Sequence, residues 1–254
     1  MLRIRQICLV AAKLRPVVDD LKAVLKIEEC FHDPGVAKYG LENALLPIGR
    51  NFMEVVAPLE AGTAAGRYLD RRGGDGGYIV ILQCDDAKQR RAHYADIGIR
   101  IANDLDYGDF LGTQLHPKDT GGCMLEVDQQ DGDVIDGTWH PAGSDWERTV
   151  RSDGAAAMTG CTLQSQDPEK LARHWGSILK SPVDTVGGAF QIPLDNGFID
   201  FVAAQDDRGD GLIGVTVQAA NAGAITSAGE QRGLPVTQQT VTICGTHFHI
   251  FKDN

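Results

Sequence analysis

The sequence predicts an α+β protein built from four βαβββ modules, paired two by two into cup-shaped mixed sheets. Three observations carry this prediction. A short apolar strand, a helical stripe and further short strands recur four times along 254 residues. Pro, Asp and Gly fall where helix starts and turns belong. One module alone leaves a sheet face bare, so modules must pair.

The first strand spans residues 2–11, interrupted by Arg3, Arg5 and Gln6. Pro16 opens a helix whose apolar stripe is Val17, Leu21, Val24 and Leu25, with proline in the tolerated first turn. Strands follow at 27–31, 40–48 and 52–57, the last ended by Pro58. A polar segment with a short helix at 64–70 leads to Gly73-Gly74-Asp75-Gly76-Gly77. This glycine cluster neither opens a helix nor precedes Lys-Ser/Thr, so it reads as a connection and not as a phosphate loop.

The second module has a strand at 78–84, a helix capped by Asp85 or Asp86 and a strand at 99–102 after Gly98. Residues 128–153 are polar, with Trp139 and Trp146 embedded, and read as a crossover. Its tryptophans either pack on a domain surface or line a ligand site. The third module runs from a strand at 157–163 through a helix opened by Asp167-Pro168, with Leu171, Trp175, Ile178 and Leu179 on one face, to strands at 189–193 and 198–203. The fourth starts at Leu212 and continues through an alanine-rich helix at 222–230 to strands at 236–243 and 247–251. The expected division is one domain over 1–130 (modules 1–60 and 75–130), a linker over 131–154 and a second domain over 155–254.

A net charge of -11 without a basic stripe argues against nucleic acid as a partner. No apolar run has membrane-span length, and the first residues lack the long apolar core of a signal peptide. The six cysteines are scattered, with no CxxC pair, which suits buried thiols better than a disulfide framework. A cytoplasmic protein, monomer or homodimer, is the expectation.

The second module closes on the stretch from Leu115 to Val127, LHPKDTGGCMLEV. Pro117, Gly121 and Gly122 mark a turn, and Cys123 to Val127 leave it as a strand. Alternation puts Glu126 on the face of Met124, opposite Leu125 and Val127. Either that face is solvated, or Glu126 points into a pocket that uses a charge.

These stretches resemble the vicinal oxygen chelate superfamily, which includes glyoxalase I, bleomycin-resistance proteins and extradiol dioxygenases. Within it, residues 1–130 resemble methylmalonyl-CoA epimerase through LRIRQICLVA, ENALLPIG, FMEVVAPLEAGTAAGRYLDRRG and above all LHPKDTGGCMLEV. The resemblance implies two glyoxalase-like domains, the second degenerate. It also implies a divalent metal, with Mg, Mn, Fe or Zn left open, held on the first and last strands of the paired modules. Gln6, Glu54 and Glu126 take three of those places, and Tyr78 stands where the family's His-His-Ile-Ala-Phe strand begins. A phenol must lose a proton with pKa near 10 before it can replace a neutral imidazole, so the metal is in doubt on chemistry alone. In the second half the matching places hold Gly160, Asp200, Leu212 and His249, which cannot chelate together; His247 and His249 share a strand face.

The expected function is therefore an isomerase, epimerase or lyase that removes a proton α to a carbonyl of a small carboxylate or acyl substrate. Its chemistry would lie in the first half, with Glu54, Glu126 and the candidate base Glu42 (or its neighbour Asn43) as catalytic carboxyls. Gln6, Tyr78, His116 and Lys118 would bind substrate, Lys118 as an anion anchor. The alternative is a metal-free small-molecule binding or sequestering protein of the bleomycin-resistance type.

Overall fold

The computed structural model describes residues 1–132 and 134–252. Elements follow the modular order. The first module contains β1 (Leu2–Val10), α1 (Leu14–Leu25), β2 (Leu41–Ile48) and β3 (Asn51–Pro58). A short helix, α2 (Ala64–Arg72), leads to β4 (Gly76–Cys84), α3 (Ala87–Asp96), β5 (Ile101–Asp106), β6 (Phe110–Leu115), the single turn α4 (Pro117–Thr120) and β7 (Met124–Gln130). The second half comprises β8 (Ala155–Ser165), α5 (Pro168–Leu179), β9 (Asp184–Val186), β10 (Ala189–Leu194), β11 (Gly197–Ala203), β12 (Gly211–Ala219), α6 (Ala222–Gln231), β13 (Val236–Thr237), β14 (Thr240–Ile243) and β15 (Thr246–Lys252).

Two mixed sheets result, ordered β2-β3-β1-β4-β7-β6-β5 and β13-β14-β15-β12-β8-β11-β10-β9. In each, two modules join through an antiparallel pair of first strands, β1 with β4 and β8 with β12. Each first strand then lies parallel to the last strand of its own module. The paired, cup-forming modules expected from the sequence are present.

The first module departs from expectation. Residues 27–31 do not form a strand; only an isolated bridge, Phe31 to Leu45, remains. The following chain, Pro34–Tyr39, turns as a 3-10 helix capped by the Asp33 side chain on the Gly35 amide. Pro34 and Gly35 favour a turn and withhold strand pairing, so this module has one strand fewer than the others. The expected strand at 236–243 is likewise split into β13 and β14 by a turn with Gln238 at φ 53°.

One apolar core joins the halves. Ile7 and Leu9 of β1, Val80 and Leu82 of β4, Leu163 of β8 and Val215 of β12 lie in it, with the inner faces of α1, α5 and α6. The sheets thus bury one face each against the other half, which leaves the opposite face of the first sheet to form a cavity. Polar contacts register the halves as well. Asn196 accepts from the Ile4 amide at 2.9 Å and donates to the Ile4 carbonyl at 2.9 Å. Asn51 donates to that carbonyl at 2.8 Å and accepts from the Met158 amide at 3.1 Å. All six cysteines are free. Among the described residues no helix is long and apolar enough to cross a membrane.

The halves approach closely at the β2–β3 turn, where Gly49 has φ 58° and a β-carbon added there would collide with the Ala156 carbonyl oxygen. Gly49→Ala is expected to cost about 2–3 kcal/mol, from backbone strain plus displacement of β8. A urea unfolding curve measures it, and an unchanged midpoint would show that the turn is not held by the second half.

Candidate functional site

Strand irregularities decide which side chains meet in the cavity. In the β1–β4 pair, Ile4 opposes Leu82 and Gln6 opposes Ile81, so Arg5 is an extra residue in β1. A bulge of this kind re-aims the neighbouring side chains. Gln6 then shares a face with Cys8, and Glu54 of β3 lies beside them, its Cα paired with Cys8. On the other side of β4, Glu126 of β7 pairs with Ile81. Asn43 reaches the same face from β2 and Gln114 from β6. They line a cavity of about 470 Å³ together with Tyr78, Ile79, Phe110, Met124 and Asp128. Its rim carries the 3-10 turn, tied to β5 by the Asn103 amide donating to the Tyr39 hydroxyl at 2.7 Å. Tyr107 and His140 stack at 4.4 Å on the rim, and His116 and Pro117 border it.

A hydrogen-bonded chain runs along the cavity floor. The Trp139 indole donates to Gln6 Oε1 at 2.8 Å, Gln6 Nε2 donates to Glu54 Oε2 at 2.9 Å, and Asn43 Nδ2 donates to Glu54 Oε1 at 2.7 Å. The indole can only donate, so Gln6 must turn its oxygen toward Trp139 and its amide toward the carboxylate. Separately, Gln114 Nε2 donates to Glu126 Oε2 at 3.0 Å. Asp128 is fully buried two residues on; its Oδ1 accepts the Thr113 amide at 3.0 Å, while Oδ2 has no partner among the described residues.

Burial raises the proton affinity of all three carboxyl groups. Glu54 is shifted upward by desolvation, opposed by Asn43, Cys8 and Gln6. Glu126 is pushed up to about 7, again by desolvation, opposed by Gln114 and reinforced by the charge of Glu54. Asp128 is likewise pushed well above the ordinary carboxyl range by its burial and by the charge of neighbouring Glu126. Glu126 and Asp128, so close in low dielectric, resist ionising together.

Beneath the cavity, Arg5 is completely buried. Its guanidinium lies 5.2, 5.3 and 5.7 Å from the ring centres of Phe52, Trp139 and Trp146. Its Nη2 donates to the Gly137 carbonyl at 2.6 Å, and burial lowers its pKa to about 9. Residues 139–146 are therefore not a bare crossover: both tryptophans are buried in the cluster that underlies the cavity.

No protein-family model and no curated protein matches the sequence. Solved structures do. A hypothetical protein from Staphylococcus aureus superimposes with TM-score 0.68 at 11% identity, over 99% of each chain. A mutant of 4-hydroxymandelate synthase from Streptomyces coelicolor gives TM-score 0.67 at 15% identity, over 91% of this chain and 75% of that one. The synthase is a member of the vicinal oxygen chelate superfamily. The chain has the vicinal oxygen chelate fold. A variant of the methylmalonyl-CoA epimerase of Streptomyces coelicolor aligns with half of it: TM-score 0.46, 22% identity, over 51% of this chain and 98% of the epimerase.

The pairing of the strands tests whether a vicinal oxygen chelate metal fits here. Gln6 pairs with Phe52, two residues before Glu54. The equivalent residue of the second module must pair with Met124, two before Glu126, and that residue is Ile79. Tyr78 is the extra residue of a second bulge, between Gly77 and Ile79. So the fourth ligand place holds a hydrocarbon, and the tyrosine expected there stands beside it. Gln6 has its oxygen committed to Trp139, and both Glu54 oxygens are held by amides. The expected metal set of Gln6, Glu54 and Glu126 does not build the family's four-place site. One place is a hydrocarbon, the Gln6 oxygen is engaged, and the two carboxylates that remain have no nitrogen donor beside them, a poor set for Zn or Fe. Among the described residues no three His, Cys, Asp or Glu side chains are grouped to hold one.

Of the residues singled out in the sequence, Gln6, Glu54, Tyr78, His116 and Glu126 line the cavity. Two do not. Glu42 is exposed, because alternation along β2 turns Asn43 inward instead. Lys118 projects to solvent from α4, whose turn the hairpin pattern does not show. In the second half Leu212 is buried in the shared core, while His247 and His249 are taken up by hydrogen bonds to Thr242 and Thr240 at 3.0 and 2.9 Å. Sequence reasoning missed Asp128 and Gln114, and it left open the role of Trp139, which here holds Gln6. The alternation that placed Glu126 also places Asp128 on its face; nothing local points to Gln114.

The raised Glu126 value has a consequence for stability. The folded state holds this proton more tightly than the unfolded chain, from a carboxyl value of 4.5 up to about 7. The contribution is complete below pH 4.5 and is lost as pH rises through about 7, amounting to roughly 3 kcal/mol. Glu126→Gln, which still accepts from Gln114, is expected to flatten the fall in stability across that window. Urea midpoints taken at several pH values measure it; an equal slope in both proteins would contradict the assignment.

Proposed function

We propose that the first-half cavity performs proton transfer at a carbon next to a carbonyl, as an isomerase, epimerase or lyase would, with Glu126 as the group that takes and returns the proton. The observation that carries this reading is the contrast between the two facing glutamates. Glu54 has both oxygens fixed by amide donors, which hold it as a carboxylate and leave it little freedom. Glu126 has one oxygen held by Gln114 and a proton affinity near neutrality, the condition under which a carboxyl group serves as acid and base at similar cost.

In this mechanism the substrate sits against the aliphatic and aromatic wall, with its acidic C–H toward Glu126. Ionised Glu126 accepts the proton and the electron pair moves onto the carbonyl oxygen. Return of the proton to the same carbon, or to its neighbour, completes the cycle. Fixed Glu54 contributes the negative charge that keeps Glu126 basic enough to act. No step passes through a metal, because the family's four-ligand set is incomplete here.

One observation favours the sequestering alternative. The amides of Gln6, Asn43 and Gln114 are all spent on carboxylates, and among the described residues no cationic side chain reaches the floor to stabilise an enolate. The two readings separate in D2O. With a panel of small ketones, aldehydes and acyl compounds, proton transfer predicts deuterium entering the α position. Glu126→Gln should slow that entry by at least ~100-fold, and a chelator should leave it unchanged. A compound that binds in the cavity and exchanges no faster than in buffer would favour sequestration.

A further inference from the structure

The charge of the cavity points to a substrate class different from the carboxylate or acyl thioester expected from the sequence. Glu54, Glu126 and Asp128 line its floor and Asp33 its rim, whereas Lys38 is the one lysine or arginine among the described lining residues, and it lies at the mouth. Lys118, the expected anion anchor, stands in solvent. Even where Glu126 and Asp128 do not ionise together, an anionic ligand would meet the remaining negative charge of the floor at short range and, among the described lining residues, no cation there to offset it. The floor offers the opposite complement. Gln114 engages only one oxygen of Glu126, and the buried Oδ2 of Asp128 has no hydrogen-bond partner among the described residues. Unfilled acceptors behind an apolar wall suit a compact donor with a positive charge.

We infer that the cavity selects a ligand bearing a protonated amine on an apolar or aromatic body, with the ammonium seated between Glu54 and Glu126 and against Asp128. This rests on the same cavity as the proton-transfer reading but does not require it. An ammonium beside a carbonyl would also acidify the intervening C–H, so an amino-carbonyl compound would meet both demands.

The test is calorimetric titration of the full chain with a series matched in shape and different in charge: 3-phenylpropylamine, 3-phenylpropanamide and 3-phenylpropanoate, with propionyl-CoA as the acyl anion. The amine is expected to bind at least about tenfold more tightly than the amide, with the carboxylate and the thioester weaker still. Glu126→Gln should remove most of the preference for amine over amide. Should that variant fail to fold, the ranking with the unaltered protein decides alone. Carboxylate or propionyl-CoA binding as tightly as the amine would overturn the inference, and so would an amine that gives no heat at millimolar concentration. The two readings fail separately. Amine binding without α-deuterium exchange in amino-carbonyl compounds removes proton transfer and keeps the charge selection; exchange confined to anionic acyl compounds does the reverse.

Discussion

The structure depends on how a buried carboxylate, Glu54, is kept in place. Removing such a group from water is costly unless its lone pairs find donors. Here the donors come from three distant parts of the chain: Asn43 from the neighbouring strand, Gln6 from the first strand, and Trp139, through Gln6, from the segment between the halves. Each link fixes the next, because the indole dictates which way the glutamine amide faces. The same chain that stabilises Glu54 removes Gln6 from any role as a metal donor. One set of hydrogen bonds therefore determines the fold of the cavity floor and narrows its chemistry.

That floor is braced from the other half of the molecule. A bulge leaves backbone groups out of register, and those of Ile4 find partners in Asn196 and Asn51. The bulge turns Gln6 and Arg5 toward the aromatic cluster, so the second half contributes to the site without lending it a side chain. Its own candidate positions are consumed structurally: Leu212 in the core, Gly160 packed against the Phe198 ring, Asp200 accepting from Gln191, and two histidines bonded to threonines. Duplication of the module has here produced one cavity and one support.

Much of the architecture was legible because apolar periodicity changes between 2 and 3.6 residues at each boundary, and because Pro117, Gly121 and Gly122 mark the turn before Glu126. The convergence of Gln6, Glu54, Tyr78 and Glu126 on one concavity was legible too, since it follows from strand alternation and from the family resemblance. What was not legible depends on register. Whether Glu42 or Asn43 faces inward turns on a shift of one residue along β2. Whether Tyr78 or Ile79 stands at the fourth place turns on a bulge whose partner lies about seventy residues away. Trp139 illustrates the other blind spot. Its loop has no periodicity, and its role arises from a contact 133 residues distant.

The strand that fails to form in the first module has an effect beyond the sheet. Freed from pairing, residues 33–39 arch above the opening and rest on β5 through a single amide-to-phenol bond. The roof is thus made of chain that the sheet does not need, while everything beneath it is locked by the ladder. Exchanges at 34–39 would reshape the entrance and leave the carboxyl groups below in place so long as Asp33 keeps its amide on Asn43 Oδ1, the side chain that holds Glu54. In an evolving lineage, guest range and reaction chemistry could then drift independently, the first written in a loop and the second in strands.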